Sequence, residues 1–424
     1  MRKKYRVNLL KLTLLMCLVF SAFSLEWALW PELPYTSLLF TLSCVGCFGL
    51  MFIYVAPKLQ EIRWQKVIPE YMYYLLWIVI MIIAYEHFYP IHQKNTFLVL
   101  TMDSYAIFFI RLLVAVIPFM FFVDQNNFKE RKIFKIILAA VIGTNAFFTF
   151  RAVQFFPDAI RARSTMEDIG AEDILFATPD YEMVYGMALI FPVLLQKIKD
   201  AQTKTDKNIY TIFAAVVFYT IMVSQFATAL LITIVGSLIF IMFSMRINKR
   251  VLIVSSIVFL VFYVHVTKMD EEILNSLSNS VDGVWAGKLH DIAVSISGSS
   301  LSGSLSERND LYQESLATFL ESPLFGILVH PTGSIGGHAT AIDILGLTGI
   351  FGFIPFVLAV LYNFRRVCRT CNFPKNKAAI IASNIEFIIV IFTKNIISSL
   401  SLFFAFFVLL PFILKVDNSE ERLS

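Results

Sequence analysis

The chain has 424 residues, 58% of them hydrophobic and 16% charged, with a mean hydropathy of +0.72. A water-soluble domain is about 45–50% apolar and about 25% charged, so this composition excludes an ordinary soluble fold. The net charge of +4 says little until its charges are placed, and no Walker loop, dinucleotide fingerprint or basic-aromatic nucleic-acid surface accompanies it.

Apolar runs of about 15 to 22 residues recur along the chain, separated by short polar stretches. In lipid every backbone N–H and C=O must be satisfied within its own segment, so such runs predict spanning helices. Strands of a membrane barrel would alternate apolar and polar, and no such alternation occurs. The predicted spans are Leu9–Leu25, Thr36–Val55, Tyr71–Tyr85, Ser104–Val123, Phe134–Phe150 and Tyr181–Leu195, then Ile209–Val223, Ala227–Met245, Val251–Val266, Ala341–Leu361, Ala378–Phe392 and Ile396–Leu414. The basic start and first apolar run resemble a signal peptide, but no A-x-A site precedes a soluble stretch, so the segment reads as span one. The expected fold is therefore an all-α, polytopic bundle of about twelve spans.

Lys and Arg near span ends are retained in the cytoplasm, which tests this map. With the N-terminus inside, 25 of the 35 Lys and Arg fall on inner segments and 8 on outer ones. The alternation holds at every connection and puts both termini in the cytoplasm. Three parts follow: spans one to nine with an external loop at 151–180 (residues 1–266), a large external loop (267–340), and spans ten to twelve with the tail (341–424). External loops of this length are usually functional.

Within the large loop the Ser-rich stretch 295–306 reads as a flexible lead into a helix. Ser304 and Glu307 have capping-box spacing, and Pro323 with Gly326 predicts the helix end. At 100° per residue Leu305, Tyr312, Leu316, Phe319 and Leu320 share a stripe, with Asp310, Glu314 and Glu321 opposite. Such a helix lies on the membrane surface or against the spans, with its acids in water. Arg308 falls at the edge of the apolar stripe, where it snorkels or pairs with Glu314 or Asp310 unless it serves a site.

The loop carries nine Asp and Glu against Lys268, Lys288 and Arg308, so nonspecific anion capture is not its role. Any phosphate site must be built from particular arginines, whose planar fork suits phosphate oxygens. Arg161 and Arg163 form the densest external basic cluster; an ordinary solvated pair is the plainer account of them. All six histidines map to the outer side or its boundary, and none has zinc-site spacing. His338 stands apart because it follows Gly336-Gly337 where the loop meets span ten. An imidazole there can accept a proton from a hydroxyl near neutral pH. Asp103, Arg111, Glu182, Asp343 and Glu386 lie in or at the edge of spans, where charge is costly and functional by default. The Cys44–Cys47 and Cys368–Cys371 pairs lie in a span and a cytoplasmic turn, too far apart to share a metal, and no cysteine lies in an external loop.

The stretch 308–352, RNDLYQESLATFLESPLFGILVHPTGSIGGHATAIDILGLTGIFG, resembles the signature region of the O-antigen polymerase and ligase superfamily. The elements are Arg308 opening an amphipathic helix, Pro323-Leu324-Phe325-Gly326, Gly336-Gly337-His338-Ala339 and Gly349-Ile350-Phe351-Gly352. The layout also matches, including the shorter loop with Arg161 and Arg163 before span six. Two features depart from the family: Ala339 follows the His where Asn, Ser or Gln is usual, and neither Arg161 nor Arg308 has Gly sixteen residues on.

The resemblance implies a metal-independent, cofactor-free glycan transfer at the periplasmic face of the bacterial inner membrane. The donor would be an oligosaccharide on undecaprenyl pyrophosphate, and the acceptor a glycan or lipid hydroxyl in O-antigen, capsule or exopolysaccharide assembly. Arg161, Arg163 and Arg308 would hold the diphosphate, whose charge grows as the bond breaks. His338 would orient or deprotonate the acceptor. Apolar grooves between spans would hold the polyprenyl chain, and a flippase and chain-length regulator are the expected partners. The alternative is a secondary transporter or flippase, which requires functional charges at mid-membrane and a dispensable large loop.

Overall fold

The computed structural model describes residues 64–92, 181–245, 269–280, 304–329 and 333–415 except 398, with isolated positions between 109 and 154 and between 287 and 294. Predicted spans one, two and nine, together with Arg161, Arg163 and His330, lie outside the described residues. Among the described residues 87% are helical and none lies in a strand.

The helices, in order, are α1 (Trp64–His92), α2 (Tyr181–Asp200), α3 (Lys204–Val223), α4 (Ala227–Ser244), α5 (Met269–Ser280), α6 (Ser304–Glu321), α7 (Thr340–Thr370) and α8 (Phe373–Thr393). Residues 400–414 form a last rod, α9 (Leu400–Phe404), a π turn (Ala405–Leu409) and α10 (Leu410–Leu414). Four helices, α3, α4, α7 and α8, are long and apolar enough to cross a membrane, and Tyr71–Tyr85 and Ser401–Leu414 are shorter apolar segments. Each coincides with a predicted span. Helix α3 starts five residues before its predicted span because Thr203 caps it, its hydroxyl accepting from Asp206 N at 3.0 Å.

Helices α1, α7, α8 and the last rod meet in an aromatic core. Trp77 packs on Phe356 and Phe403 with ring centroids 5.1 Å apart in each case, Tyr74 on Phe407 at 4.9 Å, and Phe387 stacks on Phe406 at 3.8 Å. These buried rings fix how the four elements cross.

Two helices are broken, and each break is mended. In the last rod Leu410 N reaches back to Ala405 O, five residues away, so Phe406 O loses that donor. Phe407 O would accept from residue 411, which is proline and has no N–H. Side chains of α7 fill both vacancies: Asn363 Nδ2 donates to Phe406 O at 3.4 Å and Arg366 Nη2 to Phe407 O at 3.0 Å.

The second break is at Gly349 in α7, with φ 59° and ψ −159°, a conformation essentially confined to glycine. Here Ile350 N donates to Pro323 O at 2.9 Å and Phe351 N to Leu324 O at 3.1 Å. The turn after α6 is thereby plugged into the interrupted helix. Gly326, with φ 57°, closes that turn against Gly346 O, which any Cβ would strike. Helix α6 runs the same way as the first turns of α7, and residues 333–339 return beside it: Thr318 bonds Ser334, and Gly336 packs on the Leu311 backbone.

The helix begins at Ser304 and ends before Pro323 as the spacing predicts; Ser315 packs against α7, and Leu311 and Thr318 pack against the returning segment 333–336, a face the apolar stripe did not point to. Ser315 and Thr318 are buried, whereas Leu316 and Leu320 of the stripe are exposed, Leu320 by 65%. Small side chains win this face because Gly346 comes so close that a Cβ on it would lie 3.5 Å from Ser315 Cα, a distance a leucine at 315 would prevent.

Candidate functional site

The site is built at the end of the bundle where α7 begins. The N-cap of α7 is Ala339, which has no capping side chain. Asp343, one turn in, replaces it: Oδ2 accepts from Ala339 N at 3.0 Å and Oδ1 from Ser315 Oγ at 2.7 Å. Ser315 Oγ in turn accepts from Gly336 N at 3.0 Å. One buried carboxylate thus ties the start of α7, the middle of α6 and the loop 336–339 into a single unit. Gly336 lies against the Leu311 backbone, and Gly337 takes φ 71°, so the glycine pair shapes the bend that presents His338.

His338 is exposed, with Nδ1 3.1 Å from Gly337 O. A carbonyl only accepts, so in the neutral ring this contact places the hydrogen on Nδ1 and leaves the lone pair on Nε2.

Arg308 lies one turn before Leu311, half-buried, and forms no ion pair with Asp310 or Glu314. It instead lies within electrostatic reach of Tyr185, a buried residue on α2. Lys394 Nζ stands 5.9 Å from the centroid of the same tyrosine ring. The turn that carries Lys394 is bolted to α7: its carbonyl accepts from Thr340 N at 3.0 Å and Thr340 Oγ1 at 2.8 Å, and Thr340 Oγ1 accepts from Ile396 N at 2.7 Å. Asn395 faces Gly337, completing the circuit back to His338.

Two of the four residues singled out from sequence, Arg308 and His338, therefore belong to one end of the bundle, linked through Tyr185, Lys394 and the 394–396 turn. Arg161 and Arg163 lie outside the described residues. Ser315, Tyr185 and Lys394 were not singled out. Lys394 was visible as the basic residue of the last external turn, and Ser315 as a serine one turn from Leu311, but neither spacing carries chemistry by itself. Chemically the site end brings Lys394 over the Tyr185 ring and Arg308 within electrostatic reach of the same tyrosine, with an exposed imidazole at the same end of the bundle. That combination suits an anionic leaving group and a proton acceptor.

Compared with known proteins, the chain matches no family model and no characterised relative in sequence. The class that the fold defines is an α-helical membrane protein.

Proposed function

We propose that this protein is a membrane glycan polymerase or ligase. It transfers an oligosaccharide from undecaprenyl pyrophosphate to an acceptor hydroxyl at the periplasmic face of a bacterial inner membrane, with about twelve spans and both termini cytoplasmic. The observation that carries the reading is the convergence of the matched motif. Pro323–Gly326 and Gly349–Phe351 form one joint, and Gly336-Gly337-His338 is pinned to the same helix pair by Ser315 and Asp343.

In this reaction the acceptor oxygen bonds to the anomeric carbon as the bond from that carbon to the diphosphate breaks. The hydroxyl proton passes to Nε2 of His338, and polyprenyl diphosphate leaves with its added charge met by Arg308, with Arg161 and Arg163 as further ligands. No metal is required for the leaving group.

The test is transfer by purified protein with a synthetic polyprenyl-diphosphate oligosaccharide and chelator present. His338→Ala should slow transfer about 10²–10⁴-fold, the usual worth of general-base assistance, while donor binding persists. A loss under about tenfold would leave His338 a packing role only. Activity abolished by chelator would overturn the metal-free chemistry. The transporter reading draws on one observation, the buried Glu386 in the middle of α8; donor-dependent polymer from purified protein would set it aside.

A further inference from the structure

Glu386 lies on α8, seven residues before its end at Thr393, and is fully buried. Neither carboxyl oxygen has a hydrogen-bond partner. Ser383, three residues earlier and so on the same face, is also fully buried with an unpartnered hydroxyl. Opposite them, at the middle of α4, is Gly236, where a Cβ would collide with the Glu386 carboxyl. Both helices are long and apolar enough to cross a membrane.

A bare carboxylate in such surroundings is among the costliest groups a protein can bury, so something must neutralise it. Among the described residues the elements packed on α8 supply no counter-charge at this level. Helix α4 and residues 400–414 carry no ionisable side chain. On α2 such groups are Tyr181, Glu182 and Tyr185 in the first turns and Lys197, Lys199 and Asp200 in the last. On α7 they are Asp343 in the first turn, then Tyr362, Arg365, Arg366, Cys368 and Arg369 in the final third; α8 has Lys375 and Lys377 near its start. A proton neutralises the carboxyl without any further ligand, and the Gly236 backbone closes one side of it.

We propose that Glu386 is a proton-binding site inside the membrane, carrying one proton as a neutral acid between α4 and α8 with the Ser383 hydroxyl beside it. The glycine at 236 is there to admit the carboxyl. This site is separate from the transfer site, and its test does not depend on glycan transfer.

Infrared difference spectra of the full-length protein in bilayers at neutral pH, wild type against E386Q, read the group directly. The wild type should show the C=O stretch of a protonated carboxylic acid, moved by D₂O exchange and missing from E386Q. Loss of a carboxylate band in E386Q instead would show that Glu386 is charged and would overturn the proposal. Should E386Q fail to accumulate, wild-type protein with ¹³C in the glutamate side-chain carboxyl gives the same decision. An acid band that shifts with the label supports the proton site, and a shift confined to carboxylate bands overturns it.

Discussion

The helix breaks in the last rod and at Gly349 are mended in opposite ways. In the last rod the orphaned carbonyls of Phe406 and Phe407 are met by the side chains of Asn363 and Arg366, both buried. At Gly349 the orphaned N–H groups are met by the backbone of a loop, Pro323 and Leu324, whose neighbours Leu324 and Phe325 are exposed. A side-chain mend can be replaced by another side chain. A backbone mend needs the loop itself in one position, with glycine at 326 and 349 to permit the approach. The same loop continues to His338, so its stringency and its place beside the candidate site go together.

The sharpest way to break this comparison is at the site end. Arg308→Ala should abolish polymer at unchanged protein level, scored by gel profile of the glycan. Arg308→Lys should restore it only in part, because a point charge lacks the two-pronged geometry that guanidinium offers phosphate. Normal polymer from Arg308→Ala would make Arg308 a residue of the α6 packing alone. Next in size is Gly349→Ala. Holding alanine at φ 59° costs about 1–3 kcal/mol of backbone strain, and its Cβ would strike the Leu324 backbone, so the loop must leave its socket. Thermal unfolding in detergent should shift down by several degrees with activity lost; unchanged melting would mean that the joint is not a structural constraint.

Ser315→Ala should do less to the fold and more to the rate. It strips Asp343 Oδ1 and Gly336 N of their shared partner, at about 1–3 kcal/mol for a buried group left unmet. The consequence falls on the loop carrying His338, so kcat should drop while the donor KM holds. Ser315→Thr, which keeps the hydroxyl, should recover part of the rate. An equal fall in donor affinity would place Ser315 in the packing of the whole site rather than in the positioning of the loop.

What was legible in the sequence was what hydropathy and charge record. The spans matching α3, α4, α7 and α8 are apolar runs long enough to be unmistakable, and the start and end of α6 are written in Ser304 and Pro323. The break at Gly349 was not legible, because Gly349 lies inside an unbroken apolar run and a backbone dihedral leaves no mark on hydropathy. The packed face of α6 was not legible for a related reason: counting apolar residues selects Leu316 and Leu320, while the close approach of Gly346 selects Ser315 for the contact with α7. His338 and Arg308 were singled out because histidine and arginine are few in that loop and chemically distinctive. Tyr185 and Lys394 were missed because their role comes only from convergence of elements more than 200 residues apart.

The smallest effect is expected at the other mend, and it is the more telling for that. Arg366→Met removes a hydrogen bond from a charged donor to Phe407 O, a loss of about 1.5–3 kcal/mol. It also removes a fully buried guanidinium, whose desolvation costs several kcal/mol, and methionine fills much of the same volume. The two terms oppose each other, so the melting temperature should move by no more than about 3 °C and glycan transfer should persist. A side-chain mend then proves dispensable where the backbone mend at Gly349 is not. A collapse of Arg366→Met as severe as that of Gly349→Ala would erase the distinction between the two breaks, and with it the inference that stringency in this molecule is concentrated beside His338.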